Sequence, residues 1–106
     1  MDIMGMMQKA QAVQAKLQEA QEELGRVEVD GRAGGGLVNL TLNAKGELKG
    51  VRIDPSLLTP ADKEMLEDLI VAAFNDGKAK ADRAAAEKMQ ALTEGLPLPP
   101  GMKLPF

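Results

Sequence analysis

TPADKEMLEDLIVAAFNDGKAKADRAAAEKMQALTEG, residues 59–95, is the stretch on which the fold turns. Met65, Leu66, Leu69, Ile70, Ala73, Phe74, Gly77, Ala81, Ala85, Met89 and Leu92 recur along it at the spacing of one helix face. No proline follows Pro60 within the stretch. A helix of this span is roughly 50 Å long at about 1.5 Å per residue. A compact chain of this size has a radius of gyration of about 13 Å. The helix therefore outreaches the body it grows from, and either projects into water or is covered by another chain. Its start is signalled by Thr59 as N-cap, Pro60 at the first helical position and Asp62 at capping-box spacing. Gly77, which costs a helix interior about 1 kcal/mol relative to alanine, marks an expected weak point where the rod bends.

The chain opens with a second helical pattern. Ile3, Met6, Ala10, Val13, Leu17, Ala20 and Leu24 alternate at steps of three and four, with glutamines and charged residues between them. Three heptads of this kind predict an amphipathic helix with a coiled-coil-like seam, with Asp2 as N-cap and Gly25 as its end. Met4, Met6 and Met7 make the first turns adaptable packing residues.

Between the helices the period changes to two. Val27 and Val29 alternate with Glu28 and Asp30; Val38, Leu40 and Leu42 with Asn39, Thr41 and Asn43; Val51 and Ile53 with Arg52 and Asp54. These are three short strands with one apolar face each. Residues 43–46 form the turn of a hairpin, and Gly34, Gly35 and Gly36 connect the first strand to the second. The expected architecture is α+β: an α-β-β-β-α subunit with a three-stranded antiparallel meander and two long helices. Residues 1–95 form one domain, and the proline-rich residues 96–106 form an extended tail that is mobile or laid against the body. The sheet edges stay open and the long helix is half covered, deficits that a two-fold dimer would remove.

Composition narrows the chemistry. The 106 residues include no cysteine and no histidine, so disulfides, thiolate metal sites and the usual neutral-pH base are absent. No stretch approaches the ~20 apolar residues that span a bilayer, and no signal-peptide pattern opens the chain. A soluble cytoplasmic protein is expected. The glycine run lacks the Lys-Ser or Lys-Thr pair and the helix start of a nucleotide cradle, and reads as a strand connection. Glu64, Glu67 and Asp68 suit a helix N-terminus in water better than a Mg²⁺ site. Ser56 has no histidine partner and reads as a turn residue. No catalytic set, cofactor site, metal site or small-molecule substrate is expected.

Net charge is −3, with 16 acidic and 13 basic residues, so nucleic acid is not suggested by the sum. The distribution is uneven. Acids dominate residues 59–76, whereas Lys78, Lys80, Arg83 and Lys88 outnumber Asp82 and Glu87 beyond them. Macrodipole matching accounts for that order, and a basic distal end on a projecting helix is the functional alternative. Lys9 and Lys16 share the polar side of the first helix. Such cations contact phosphate oxygens without reading bases, and with no aromatic spaced for stacking, double-stranded DNA held by its backbone is the mode they fit.

These segments resemble the YbaB/EbfC family of bacterial nucleoid-associated proteins over nearly the whole chain. The likeness runs from Met7-Gln8-Lys9-Ala10-Gln11 and Gln21-Glu22-Glu23-Leu24 through Gly35-Gly36-Leu37-Val38 to Ile53-Asp54-Pro55-Ser56-Leu57-Leu58. It continues in Ala72-Ala73-Phe74-Asn75-Asp76 and in Leu98-Pro99-Pro100-Gly101-Met102-Lys103-Leu104-Pro105-Phe106. The resemblance implies a homodimer with tweezer-like helical arms, DNA binding, a nucleoid location, influence on gene expression and no enzymatic activity. The expected phosphate contacts are Lys9, Lys16, Lys78, Lys80, Arg83 and Lys88. The rival is a protein-interaction scaffold or prefoldin-like holdase that grips polypeptides with its methionine-rich arms.

Overall fold

A computed structural model describes residues 2–94. The expected tail at 96–106 lies outside the described residues. The order is α1 (Ile3–Leu24), β1 (Glu28–Ala33), β2 (Val38–Asn43), β3 (Leu48–Ile53) and α2 (Lys63–Glu94). The strands form one antiparallel meander in the order β1-β2-β3. The α+β layout expected from the change of period is the one observed.

The apolar face of the sheet is set by alternation. Val38, Leu40 and Leu42 are buried beneath α2, with Leu57 and Ala73 completing the core. A fully buried leucine or valine contributes about 1.5–3 kcal/mol of transfer free energy, so three in one strand make β2 the centre of the domain. α2 lies over β1 and β2 and leaves β3 at the side. A second, smaller cluster of Ala20, Leu24, Ala44 and Met89 joins α1 to α2 at the far end of the sheet.

Buried Asn43 locks that junction. Its amide nitrogen donates to Gly25 O at 3.3 Å and to Glu47 Oε1 at 2.8 Å. Its Oδ1 accepts from the backbone N–H groups of Lys45 and Glu47, both at 3.0 Å. All four bonding sites of the amide are used, so its burial carries no desolvation penalty from an unmade bond. The expected turn at 43–46 is thereby fixed to the end of α1. Asp2 caps α1 as expected, accepting from Gly5 N–H at 3.1 Å.

Other expectations are corrected in detail. β1 runs on to Ala33 and β3 begins at Leu48, because the sheet pairs through Gly31 and Gly50, which no apolar alternation marks. Pro60 opens a 3₁₀ turn over Pro60–Asp62 and not the long helix itself, which starts at Lys63. Thr59 Oγ1 donates to the Asp62 carboxylate at 2.8 Å instead of accepting from a backbone N–H. The seam of α1 is buried only at Ala20 and Leu24, while Ile3 and Met6 are exposed.

The largest correction concerns Gly77. The helix passes through it without interruption, and Gly77 is buried. It lies against Gly31 of β1: a Cβ on Gly31 would stand 2.1 Å from Ala73 O and 2.8 Å from Gly77 Cα. A Cβ on Gly77 would stand 2.5 Å from Leu42 Cδ1 and 3.2 Å from Gly31 Cα. The missing side chains let helix and strand backbones touch, so the residue that weakens the helix locally seats it on the sheet.

The molecule is long. Its radius of gyration is 19.7 Å and its extents are 71 × 22 × 16 Å, against about 13 Å for a compact chain of this length. Gly31→Ala forces a backbone shift and should destabilise by at least about 1–3 kcal/mol. Gly77→Ala should also destabilise, although helix propensity alone favours alanine by about 1 kcal/mol. Urea unfolding measures both; a more stable Gly77→Ala protein would contradict this packing.

Candidate nucleic-acid interface

The six cations expected to meet phosphate divide by their surroundings. Lys9 and Lys16 are exposed on α1, Arg83 is exposed on α2, and none of the three forms an ion pair among the described residues. The other three have carboxylate partners. Lys78 pairs with Asp82 one turn on. Lys80 reaches Asp76 Oδ2 at 3.0 Å and donates to Asp30 O at 2.9 Å. Lys88 pairs with Glu23 across the two helices.

These pairings do structural work. β1 is an edge strand, and its outward Asp30 carbonyl and Arg32 N–H need partners. Lys80 takes the carbonyl, and Asp76 Oδ2 accepts from Arg32 N–H at 3.0 Å. Two residues four apart on α2 thus close this edge of the sheet. That N–H and the Lys80 ammonium hold the Asp76 carboxyl below its ordinary value of 3.8. The Lys88 bond and charge, with a smaller contribution from Arg26, lower Glu23 from 4.5.

Lys16 and Lys88 are brought together where α1 and α2 run side by side. With Glu19, Ala20, Glu23, Ala91 and Leu92 they line an open cleft of about 300 Å³. Beyond it the first turns of α1 leave Ile3, Met4, Met6 and Met7 between 58% and 73% exposed. Lys78 lies instead at the β2–β3 turn, where a Cβ on Gly46 would stand 3.3 Å from its Cε. Lys80 is turned to β1. The six therefore do not form one patch: Lys9, Lys16, Arg83 and Lys88 belong to the projecting helices, and Lys78 and Lys80 to the body.

Sequence reasoning passed over the cations of the sheet. Arg32, Asn39 and Arg52 share one row across β1, β2 and β3, on the face turned away from α2. Their only signal was polar positions alternating with apolar or small ones along the strands. A second exposed feature is apolar: Leu40, Leu48, Val51, Ile70, Val71, Phe74 and Asn75 line a groove of about 360 Å³ beside β3, where α2 leaves the sheet uncovered. No group of three metal-ligating side chains forms among the described residues, and no helix among them is long and apolar enough to cross a membrane.

Residues 1–96 match the YbaB/EbfC DNA-binding family. The nucleoid-associated protein Atu0095 of Agrobacterium fabrum is 58% identical over 105 residues, covering 99% of this chain and 98% of that protein. The nucleoid-associated protein R00231 of Rhizobium meliloti is 55% identical over the same shares. Among solved structures, the uncharacterized protein HP0035 of Helicobacter pylori has a TM-score of 0.69 and 28% identity, over 89% of this chain and 95% of that one.

The lowered carboxylates set an acid limit on stability. Asp76, Glu23, Glu47 and Asp54 are all held below their ordinary values, Glu47 by the Asn43 amide and then Lys49, and Asp54 by Ser56 N–H. A depressed folded-state value means stability that is present above the ordinary value and lost as pH falls through the folded one. The thermal midpoint should therefore fall on acidification below about pH 4.5, the ordinary glutamate value. Asp76→Asn should flatten that fall; a midpoint that rises on acidification would contradict the assignment.

Proposed function

This chain belongs to the YbaB/EbfC DNA-binding family, and from that premise we propose that it binds double-stranded DNA as a homodimer, by its phosphate backbone and with little sequence specificity. The observation that carries this reading is the projection of two helices past a small sheet, with Lys9, Lys16 and Arg83 on them unpaired among the described residues. Phosphate contacts position a protein on a duplex without reading sequence. Lys78, Lys80 and Lys88 join only by exchanging a carboxylate for a phosphate, so they contribute less per contact. The acids of the remaining surface repel DNA and confine it to the arms.

The homodimer is supported by what one chain leaves uncovered. α2 closes the β1 edge with Asp76 and Lys80, whereas β3 keeps an apolar flank, with Leu48 and Val51 each about half exposed and Val71 60% exposed across the groove. Patches of this kind mark protein contacts. A second copy seated there gives two pairs of arms, and the doubled valence raises avidity for one duplex. The relatives' names as nucleoid-associated proteins support a place on the bacterial chromosome in the cytoplasm, with an effect on its organisation and on gene expression. The family's name denotes binding and no enzyme class.

One observation favours a second reading. The exposed Ile3, Met4, Met6 and Met7 suit a holdase or interaction scaffold that takes apolar segments of polypeptides. Its mark is binding that persists at high salt.

For DNA, log K should fall with log salt by about 0.9 for each phosphate neutralised. Lys9→Glu, Lys16→Glu and Arg83→Glu together should weaken binding to all duplexes alike and flatten the salt slope. A fluorescence titration at several salt concentrations reads both quantities. Unchanged affinity in the triple variant would remove the arms from the interface.

A further inference from the structure

The polar face of the sheet is used by neither the arms nor the apolar groove. Register places Arg32, Asn39 and Arg52 in one row across the three strands. At about 4.8 Å between strands, the two arginine Cα atoms lie about 10 Å apart. Both side chains are exposed. Arg52 forms no ion pair among the described residues, and Arg32 has one long pair, with Asp30 at 3.9 Å. The lysines of the body are held more closely, Lys80 by Asp76 at 3.0 Å and Lys78 by Asp82. The row is held in place: Asp76 fixes Arg32 through its backbone N–H, and Asn39 Nδ2 donates to Gly36 O at 2.8 Å. The glycine loop beside it leaves the approach open, because nothing lies within 4 Å of where a Cβ on Gly35 or Gly36 would sit.

We infer that this face is a second phosphate-contacting surface, with Arg32 and Arg52 as its contacts and the backbone of duplex DNA as its ligand. The inference rests on the reading of the chain as a duplex-binding protein. A guanidinium presents a planar fork of donors that fits two phosphate oxygens at once, which a lysine does not. Asp30 and Glu28 occupy the same face but toward the arms, so contact is confined to the arginine row. Asp54, next after β3, is turned to Ser56 N–H at 2.9 Å.

The position of the row gives the surface its role. α2 covers the opposite face of the sheet, and Arg32 lies level with Asp76, seven residues before Arg83, the nearest arm cation on α2. That separation is about 10 Å along the helix. A straight duplex lying along the arms does not also lie flat on the far face of the sheet. The two surfaces therefore hold two segments of DNA, and the protein bridges them.

The test is a two-duplex capture: one duplex immobilised, a second, labelled duplex free in solution, and the full-length protein added at low salt. The wild-type protein should bind the immobilised duplex and retain the labelled one. R32E/R52E should bind the immobilised duplex with its salt slope intact and retain at least about tenfold less of the labelled one. R32K/R52K, which keeps the charge and loses the fork, should fall between them. Circular dichroism checks the fold of both variants, in which only exposed side chains change. Wild-type retention by R32E/R52E, or binding of the first duplex without the second by the wild-type protein, overturns this inference and leaves the arm interface standing. No binding of the first duplex overturns the duplex-binding reading and this inference with it.

Discussion

Glycine meets glycine where the long helix crosses the first strand, and the rest of the molecule depends on that contact. Without side chains at Gly31 and Gly77 the two backbones approach until a single methyl would collide with Ala73 O. The close approach lets Leu40 and Leu42 of β2 reach the helix and become fully buried. It also sets the height at which Asp76 and Lys80 meet the outward Asp30 carbonyl and Arg32 N–H. Packing and edge closure are thus one event. What remains of the helix beyond Ala81 packs on Val27 and Ala44 at the end of the sheet and meets α1 at Ala20 and Leu24.

The charges follow the same division. Over the body, cations are consumed by structure: Lys80 closes an edge and Lys78 holds Asp82. At the arm base Lys88 ties α2 to α1 through Glu23. On the helices Lys9, Lys16 and Arg83, and on the outer face of the sheet Arg52, form no ion pair among the described residues, and Arg32 meets only Asp30, at 3.9 Å. A chain of net charge −3 can therefore present positive ground in restricted places and remain repelled by DNA elsewhere. Exposed ion pairs are worth little in themselves, so exchanging one for a phosphate is a small step.

The architecture was legible because two periods in the sequence are clean. Steps of three and four gave both helices, and alternation gave all three strands and the buried face of β2. The excess length of α2 was legible too, from its span against the size of so short a chain, and the family resemblance rests on segments spread along that chain. What was not legible depends on contacts between distant residues. Gly77 looked like a defect, because its partner Gly31 lies 46 positions away and neither residue announces the other. Lys88 has its acid, Glu23, on the other helix, whereas the Lys78–Asp82 and Lys80–Asp76 pairs stand at i, i+4 spacing and were open to reading in the sequence. Arg32 and Arg52 were passed over because a charge on a strand reads as ordinary polar alternation until register sets two of them in one row.

In the proposed dimer one chain is an incomplete body with projecting arms, finished by a second copy that leaves the arms free. Small-angle X-ray scattering of the purified protein tests it most directly, because mass and greatest dimension come from one curve. The mass of two chains and a greatest dimension above the 71 Å of a single subunit are expected. A particle of one-chain mass, or a compact one shorter than a single subunit, would contradict it.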